Sequence, residues 1–288
     1  MIHMKQKRKI NYFRLLLMAI IPLLIIGVLF YGIKQFGNSS KESETSQSIA
    51  AQSDLTTLLT KSMQPIGKVM YVWGGGWNKE DTGSGSETRQ LGLASTWQSF
   101  ANRQDASYNV EDHLYEIHNG LDCSGYIGWL LYNTFETENG KTGYVHLSNE
   151  IGPSLEQKGF GHMIAANSIE TYEPGDLLAN KDHIFMVIAQ CEDGSLLIAH
   201  SSPPGVRICG TPTLSGDPDS QALALAQKIM STQFPDWYAK YPDCSCDFSF
   251  LSDYDQFRWN SNKLKDENSL RNKSAQEVVS VLFPSLVY

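Results

Sequence analysis

The stretch Gly120-Leu121-Asp122-Cys123-Ser124-Gly125-Tyr126-Ile127-Gly128-Trp129-Leu130-Leu131-Tyr132 constrains this chain more than any other. A small polar cluster holding one cysteine opens an apolar run at helical spacing, which predicts a buried helix with Cys123 on its first turn. Unpaired backbone N–H groups and the positive end of the helix dipole favour thiolate over thiol there. They can bring the pKa down from about 8.5 towards neutrality. A buried, inert cysteine is the competing reading, and partners elsewhere in the chain decide between the two.

The net charge of −8 conceals an asymmetry. Residues 1–41 carry seven lysines and arginines and no acid, which leaves 16 basic against 31 acidic residues in the remainder. So acidic a body would repel a phosphate backbone, which argues against nucleic acid as a partner. Residues 15–33 are uncharged and dominated by Leu and Ile, long enough as a helix to cross the hydrocarbon core. Lys5, Lys7, Arg8, Lys9 and Arg14 precede them. The positive-inside bias therefore reads residues 1–36 as a cytoplasmic basic tail and single transmembrane anchor, with the rest of the chain outside the cell membrane. A cleavable signal peptide is the rival reading, but its nearest cleavage site, Ile49-Ala50-Ala51, lies far downstream. Residues 37–53, rich in Ser, Glu, Gln and Thr, have the composition of a flexible stalk.

Past the stalk, residues 54–63 predict a short helix capped by Asp54, with Pro65 beyond its end. Met70-Tyr71-Val72-Trp73-Gly74-Gly75-Gly76-Trp77 reads as a strand running into glycines that let backbone approach closely or take positive φ. Residues 88–104 and 109–117 predict two helices. His113 and His118 do not share a helical face, and a strand end and short helix over residues 146–161 bring no metal-ligand spacing to His146 or His162. No metal is expected at any of them.

Glu173-Pro174-Gly175-Asp176-Leu177-Leu178 turns into a strand, and Asp182-His183-Ile184-Phe185-Met186-Val187-Ile188-Ala189 is an apolar run fit for a central strand. Residues 192–195 make a hairpin turn, residues 196–199 return as the next strand, and Val206-Arg207-Ile208 adds a third. His183 opens one strand and His200 closes its antiparallel neighbour, so both reach one sheet edge within touching distance. Together with a helix-start cysteine they make a nucleophile, a base and a group that orients the base. Beyond Gly210 the pattern predicts a helix over residues 219–231, an irregular aromatic segment over 237–254, an edge strand at Phe257-Arg258-Trp259, a charged loop over 260–272 and a closing helix over 274–282. With Cys123 set aside, Cys191, Cys209, Cys244 and Cys246 admit up to two disulfides in three connectivities, or four free thiols. A Cys244 to Cys246 bridge would need an unusually tight loop.

Taken in series, Tyr71-Val72-Trp73-Gly74-Gly75, Leu121-Asp122-Cys123-Ser124-Gly125, Pro174-Gly175-Asp176-Leu177, His183 before an apolar strand and Ile198-Ala199-His200-Ser201 resemble the NlpC family of papain-like cell-wall cysteine peptidases. The resemblance covers about residues 65–210. It implies an α+β fold in which an antiparallel sheet packs on a helix bearing the nucleophilic cysteine. It further implies Cys123 as nucleophile, His183 as general base and then acid, and His200 as the residue that orients His183. Tyr71, Trp73, Asp122 and Ser124 would line the substrate site. The substrates it implies are peptidoglycan stem peptides, cut at the bond between γ-D-glutamate and the following diamino acid, with no cofactor.

On this reading the chain divides into the anchor, the stalk, a catalytic domain over residues 54–213 with an insertion at 77–120, and a C-terminal extension over 214–288 packed on it. Both the insertion and the extension depart from the family pattern. The expected protein is a membrane-anchored, outward-facing peptidoglycan peptidase, with room for protein partners in a cell-envelope machine. Two rivals stand beside it: a CHAP-type amidase cutting the sugar-to-peptide link, and a non-catalytic anchored scaffold that binds wall peptide.

Overall fold

The computed structural model describes residues 53–286. Ten strands and eight α-helices alternate along them. β1 (Ser53–Asp54) leads into α1 (Leu55–Met63), whose first turn is capped by Asp54 accepting from the Thr56 N–H at 2.7 Å, as the sequence predicts. β2 (Met70–Tyr71), α2 (Ser95–Ala101), β3 (Gly120–Leu121), α3 (Cys123–Phe135) and α4 (Ser148–Gln157) follow. Next come β4 (Gly161–Ile164), β5 (Leu177–Ala179), β6 (Ile184–Gln190), β7 (Leu196–Ser202) and β8 (Gly205–Gly210). The remainder is α5 (Gln221–Gln233), α6 (Pro235–Lys240), α7 (Ser249–Ser252), β9 (Asp255–Trp259), β10 (Leu264–Lys265) and α8 (Ala275–Leu282).

Eight strands form one mixed sheet in the order β3-β2-β8-β7-β6-β5-β9-β4, parallel only between β2 and β3. A separate parallel pair joins β1 to β10. The α+β class expected from the sequence is therefore observed, with α3 packed on β6 and β7. All thirteen residues of α3 are buried. Alternation along β7 sends neighbouring side chains to opposite faces. Ser201 donates to the Leu121 carbonyl beside the start of α3 at 2.7 Å, while His200 next to it faces the other way. On that second face Phe185, Val187, Ile198 and Cys209 are covered by Tyr254, Phe250 and Leu251 from the C-terminal part of the chain.

Several local expectations change. The helix foreseen over residues 88–104 shrinks to Ser95–Ala101, and residues 109–117 hold only a 3-10 turn at Val110–His113. In that turn His113, instead of extending a helix, stacks on Tyr108, and its Nδ1 lies 3.1 Å from a Glu116 carboxylate oxygen. His146 precedes α4, and His162 lies in β4. The segment read as irregular contains α6 and α7.

The strand at residues 257–259 is not at an edge. β9 lies between β5 and β4, pairing with both, because Gln256 and Phe257 are buried and only an interior strand hides both of its faces. Arg258 binds Asp176 across it, so the C-terminal segment completes the sheet. Among the described residues no helix is long and apolar enough to cross a membrane, and the anchor expected at residues 15–33 lies outside them.

Candidate active site

α3 starts where it does because Asp122 leaves the helical region, with extended backbone, and its Oδ1 accepts both the Gly125 N–H at 2.7 Å and the Ser124 hydroxyl at 2.8 Å. Ser124 in turn accepts from the Trp77 indole N–H at 3.0 Å. The Gly75 carbonyl accepts the Asp122 N–H at 2.9 Å. Gly76 sits so close that a Cβ there would stand 2.7 Å from the Gly125 Cα, and its φ of +93° is one that glycine takes without strain. The glycines thus serve the close backbone approach the sequence suggested, locking the strand-to-glycine turn onto the first turn of α3.

Cys123 is the first residue of that helix and is buried. The backbone N–H of Ile184, the first residue of β6, lies near enough the sulfur to favour its thiolate, which puts the thiol near the strand end that His183 precedes. His183 Nε2 lies 3.1 Å from His200 Nδ1. Nδ1 of His183 makes none of the hydrogen bonds found among the described residues. His183 and His200 thus meet at one end of β6, and among the described residues no hydrogen bond joins the Cys123 sulfur to either imidazole. His200 is not the last residue of its strand, which continues to Ser202 against β8.

The fourth member of the chain was not foreseen. His200 Nε2 lies 3.3 Å from the Cys209 sulfur, which in turn lies within 4.8 Å of the Cys246 sulfur. In the β7–β8 pairing His200 faces Arg207, which places Cys209 two residues along on the same side. That neighbour was readable from the register; Cys246 was not, because it comes from a distant segment whose Cys246 N–H bonds the Gly210 carbonyl at 3.0 Å. All five cysteines are free, and Cys244 and Cys246 do not bridge.

The expected drop of the Cys123 pKa is overturned. Burial, and after it the Asp122 charge next door, push the thiol up to about 12, outweighing the N–H groups that favour thiolate. Burial likewise pulls His183 down to about 3, helped by the neighbouring His200. The cover is specific: the Phe250 ring lies 5.7 Å from His183 and 5.9 Å from His200, and Tyr254 lies 6.4 Å from His183. Thiol and imidazole are thus both neutral, the imidazole beneath this aromatic cover. Cys209 behaves in the opposite way. Its burial opposes ionisation, but the Cys246 S–H, His200 and Arg207 outweigh it and hold the thiol well below its ordinary value.

Of the remaining residues, Tyr71 is buried beside Cys123 and Asp122, both of which push its hydroxyl further up once burial has raised it. Its carbonyl accepts the Tyr108 hydroxyl at 2.5 Å, and the Trp73 carbonyl accepts the Tyr115 N–H at 3.0 Å, so the insertion at residues 77–120 folds against this wall. Trp73 is 51% exposed and Tyr115 66% exposed. Asp122 and Ser124 are buried and spend their oxygens on the turn described above. Burial raises Asp122 to about 6 against the N–H groups that lower it.

Comparison with known proteins leaves the site to speak for itself: no protein-family model, no curated protein and no solved structure matches the chain.

Proposed function

We propose that this chain is a cysteine peptidase with a papain-like, NlpC-type core, anchored in the cell membrane by residues 15–33 and acting outside it on peptidoglycan stem peptides. One observation carries the reading: the sulfur of a helix-start cysteine sits against the strand that begins after His183, and His183 is bonded to His200. Cys209, favouring thiolate, accepts the Nε2 proton of His200, which leaves the Nδ1 lone pair facing His183. His183 then carries its proton on Nε2 and has a free lone pair on Nδ1, the arrangement a base needs to take the Cys123 proton.

In the proposed reaction that proton moves to His183 as sulfur attacks the amide carbon. The backbone N–H of Cys123 faces the developing oxyanion. Collapse to a thioester releases the amine with the proton from His183, and water then cleaves the thioester. Neutral His183 beneath Phe250 and Tyr254 requires the aromatic cover to move as substrate enters. Digestion of defined stem peptides by the full chain, with the new ends identified by mass, tests the proposal. New amines at the γ-D-glutamyl bond, lost in Cys123→Ala, are the expected result. Cleavage at the sugar-to-peptide link would make the protein an amidase instead.

A second reading, an anchored module that binds wall peptide without cutting it, is favoured by the burial that leaves the thiol protonated. Binding with no new ends in any fragment would select it.

A further inference from the structure

Cys209, Cys246 and His200 present two sulfurs and one imidazole nitrogen, all within 4.8 Å of one another, beneath the sheet face covered by α7 and Tyr254. A tetrahedral zinc site needs N···S separations of about 3.6 Å and S···S separations of about 3.8 Å from its usual bond lengths. The His200 Nε2 to Cys209 Sγ distance of 3.3 Å is already close to that. The other ring nitrogen of His200 is held by His183, the kind of outer partner that fixes the orientation of a ligating imidazole. Two sulfurs with one imidazole suit a soft or borderline cation and not magnesium or calcium, which take oxygen.

We propose that His200, Cys209 and Cys246 form a three-ligand site for a thiophilic divalent cation of the zinc type, with the fourth position left to water. Binding forms two metal–sulfur bonds and one metal–nitrogen bond; Cys209 already favours thiolate, so the Cys246 S–H proton leaves to solvent and the His200 ring proton moves from Nε2 to Nδ1. The cation takes the Nε2 lone pair of His200, so the remaining ring proton sits on Nδ1 and points at His183 Nε2. His183 must then accept at Nε2 and carry its own proton on Nδ1, where it can no longer take one from Cys123. Occupancy therefore switches the base off. The cation site stands apart from the peptidase reading; only its effect on Cys123 rests on that reading.

The full chain, purified metal-free with its thiols reduced, is titrated with Co(II) and Zn(II). One ion per chain with a thiolate-to-cobalt absorption band is expected, weakened at least tenfold in Cys246→Ser and in Cys209→Ser and retained in Cys244→Ser, whose sulfur lies outside the cluster. No stoichiometric uptake by reduced protein, or uptake unchanged in both Cys246→Ser and Cys209→Ser, overturns the site. Saturating Zn(II) is also expected to slow alkylation of Cys123, read by peptide mapping, in the wild type and not in Cys246→Ser. Equal labelling with the ion bound overturns the link to His183 while leaving peptide digestion to judge the peptidase reading separately.

Discussion

Arg258 reaches from β9 to Asp176 at the turn before β5, with Nη2 2.9 Å from Oδ2. The carboxylate also accepts from Gln256 at 2.5 Å and from the Glu173 N–H at 2.7 Å, and it is almost wholly buried. Burial still raises it to about 6, so the guanidinium and amide donors offset only part of its desolvation.

Removing the guanidinium alone is therefore costly. Arg258→Met should lower unfolding stability by about 3 kcal/mol or more, because a buried carboxylate loses its cation. Adding Asp176→Asn should recover a good part of that loss. Urea unfolding of the two variants and their combination measures it, and strictly additive losses would contradict the pairing.

The Asp122 charge is the second cause, after burial, of the raised Cys123 pKa. Asp122→Asn keeps a side-chain oxygen for the Gly125 N–H and removes the charge. The thiol should titrate below about 12 and alkylate faster at any given alkaline pH, while stability shifts by less than about 1 kcal/mol. An unchanged pH–rate profile would count against the electrostatic account.

His183 has a folded pKa of about 3 against an ordinary 6.5. Between those values the unfolded chain binds a proton that the folded one refuses. His183 therefore costs stability as pH falls through that window, by up to about 1.4 kcal/mol per pH unit. Asp122 and Asp176, raised to about 6, act in the opposite sense over the acidic range. Comparison with His183→Gln cancels them. The stability of the wild type relative to that variant should fall from pH 7 to pH 4, and a constant difference would exclude a buried neutral imidazole.

Phe250 covers both histidines and is only half-buried itself. Phe250→Ala should destabilise by under about 3 kcal/mol and bring the His183 pKa back up towards its ordinary 6.5, since burial is the chief reason it is lowered. An unchanged imidazole titration would show that the cover lies elsewhere.

The meeting of His183 and His200 was legible because it depends on local patterns, an apolar strand and an Asp-Gly hairpin that sets which residues face each other, and the helix opening at Cys123 was legible from its polar-to-apolar transition. The protonation state was not legible, because it depends on α7 and Tyr254, brought in from more than sixty residues past His183. A separation of 37 residues likewise hid the Cys209–Cys246 contact. The strand at Phe257 was found from its alternation but misplaced at an edge. Interior position is decided by the pairing with β4, and residues 161–164 carry too few apolar side chains to announce themselves as a strand.

The placement of β9 also governs the order in which the chain can finish folding. β4 has no other partner in the sheet, and the outer flank of β5 is paired by β9 alone. Until residue 259 has left the ribosome, Leu177–Ala179 therefore offers unmatched amides and carbonyls to whatever strand it meets. A chain stopped at residue 213, which keeps all three members of the Cys123, His183 and His200 group, would carry that open flank permanently and be prone to aggregation before its chemistry could matter.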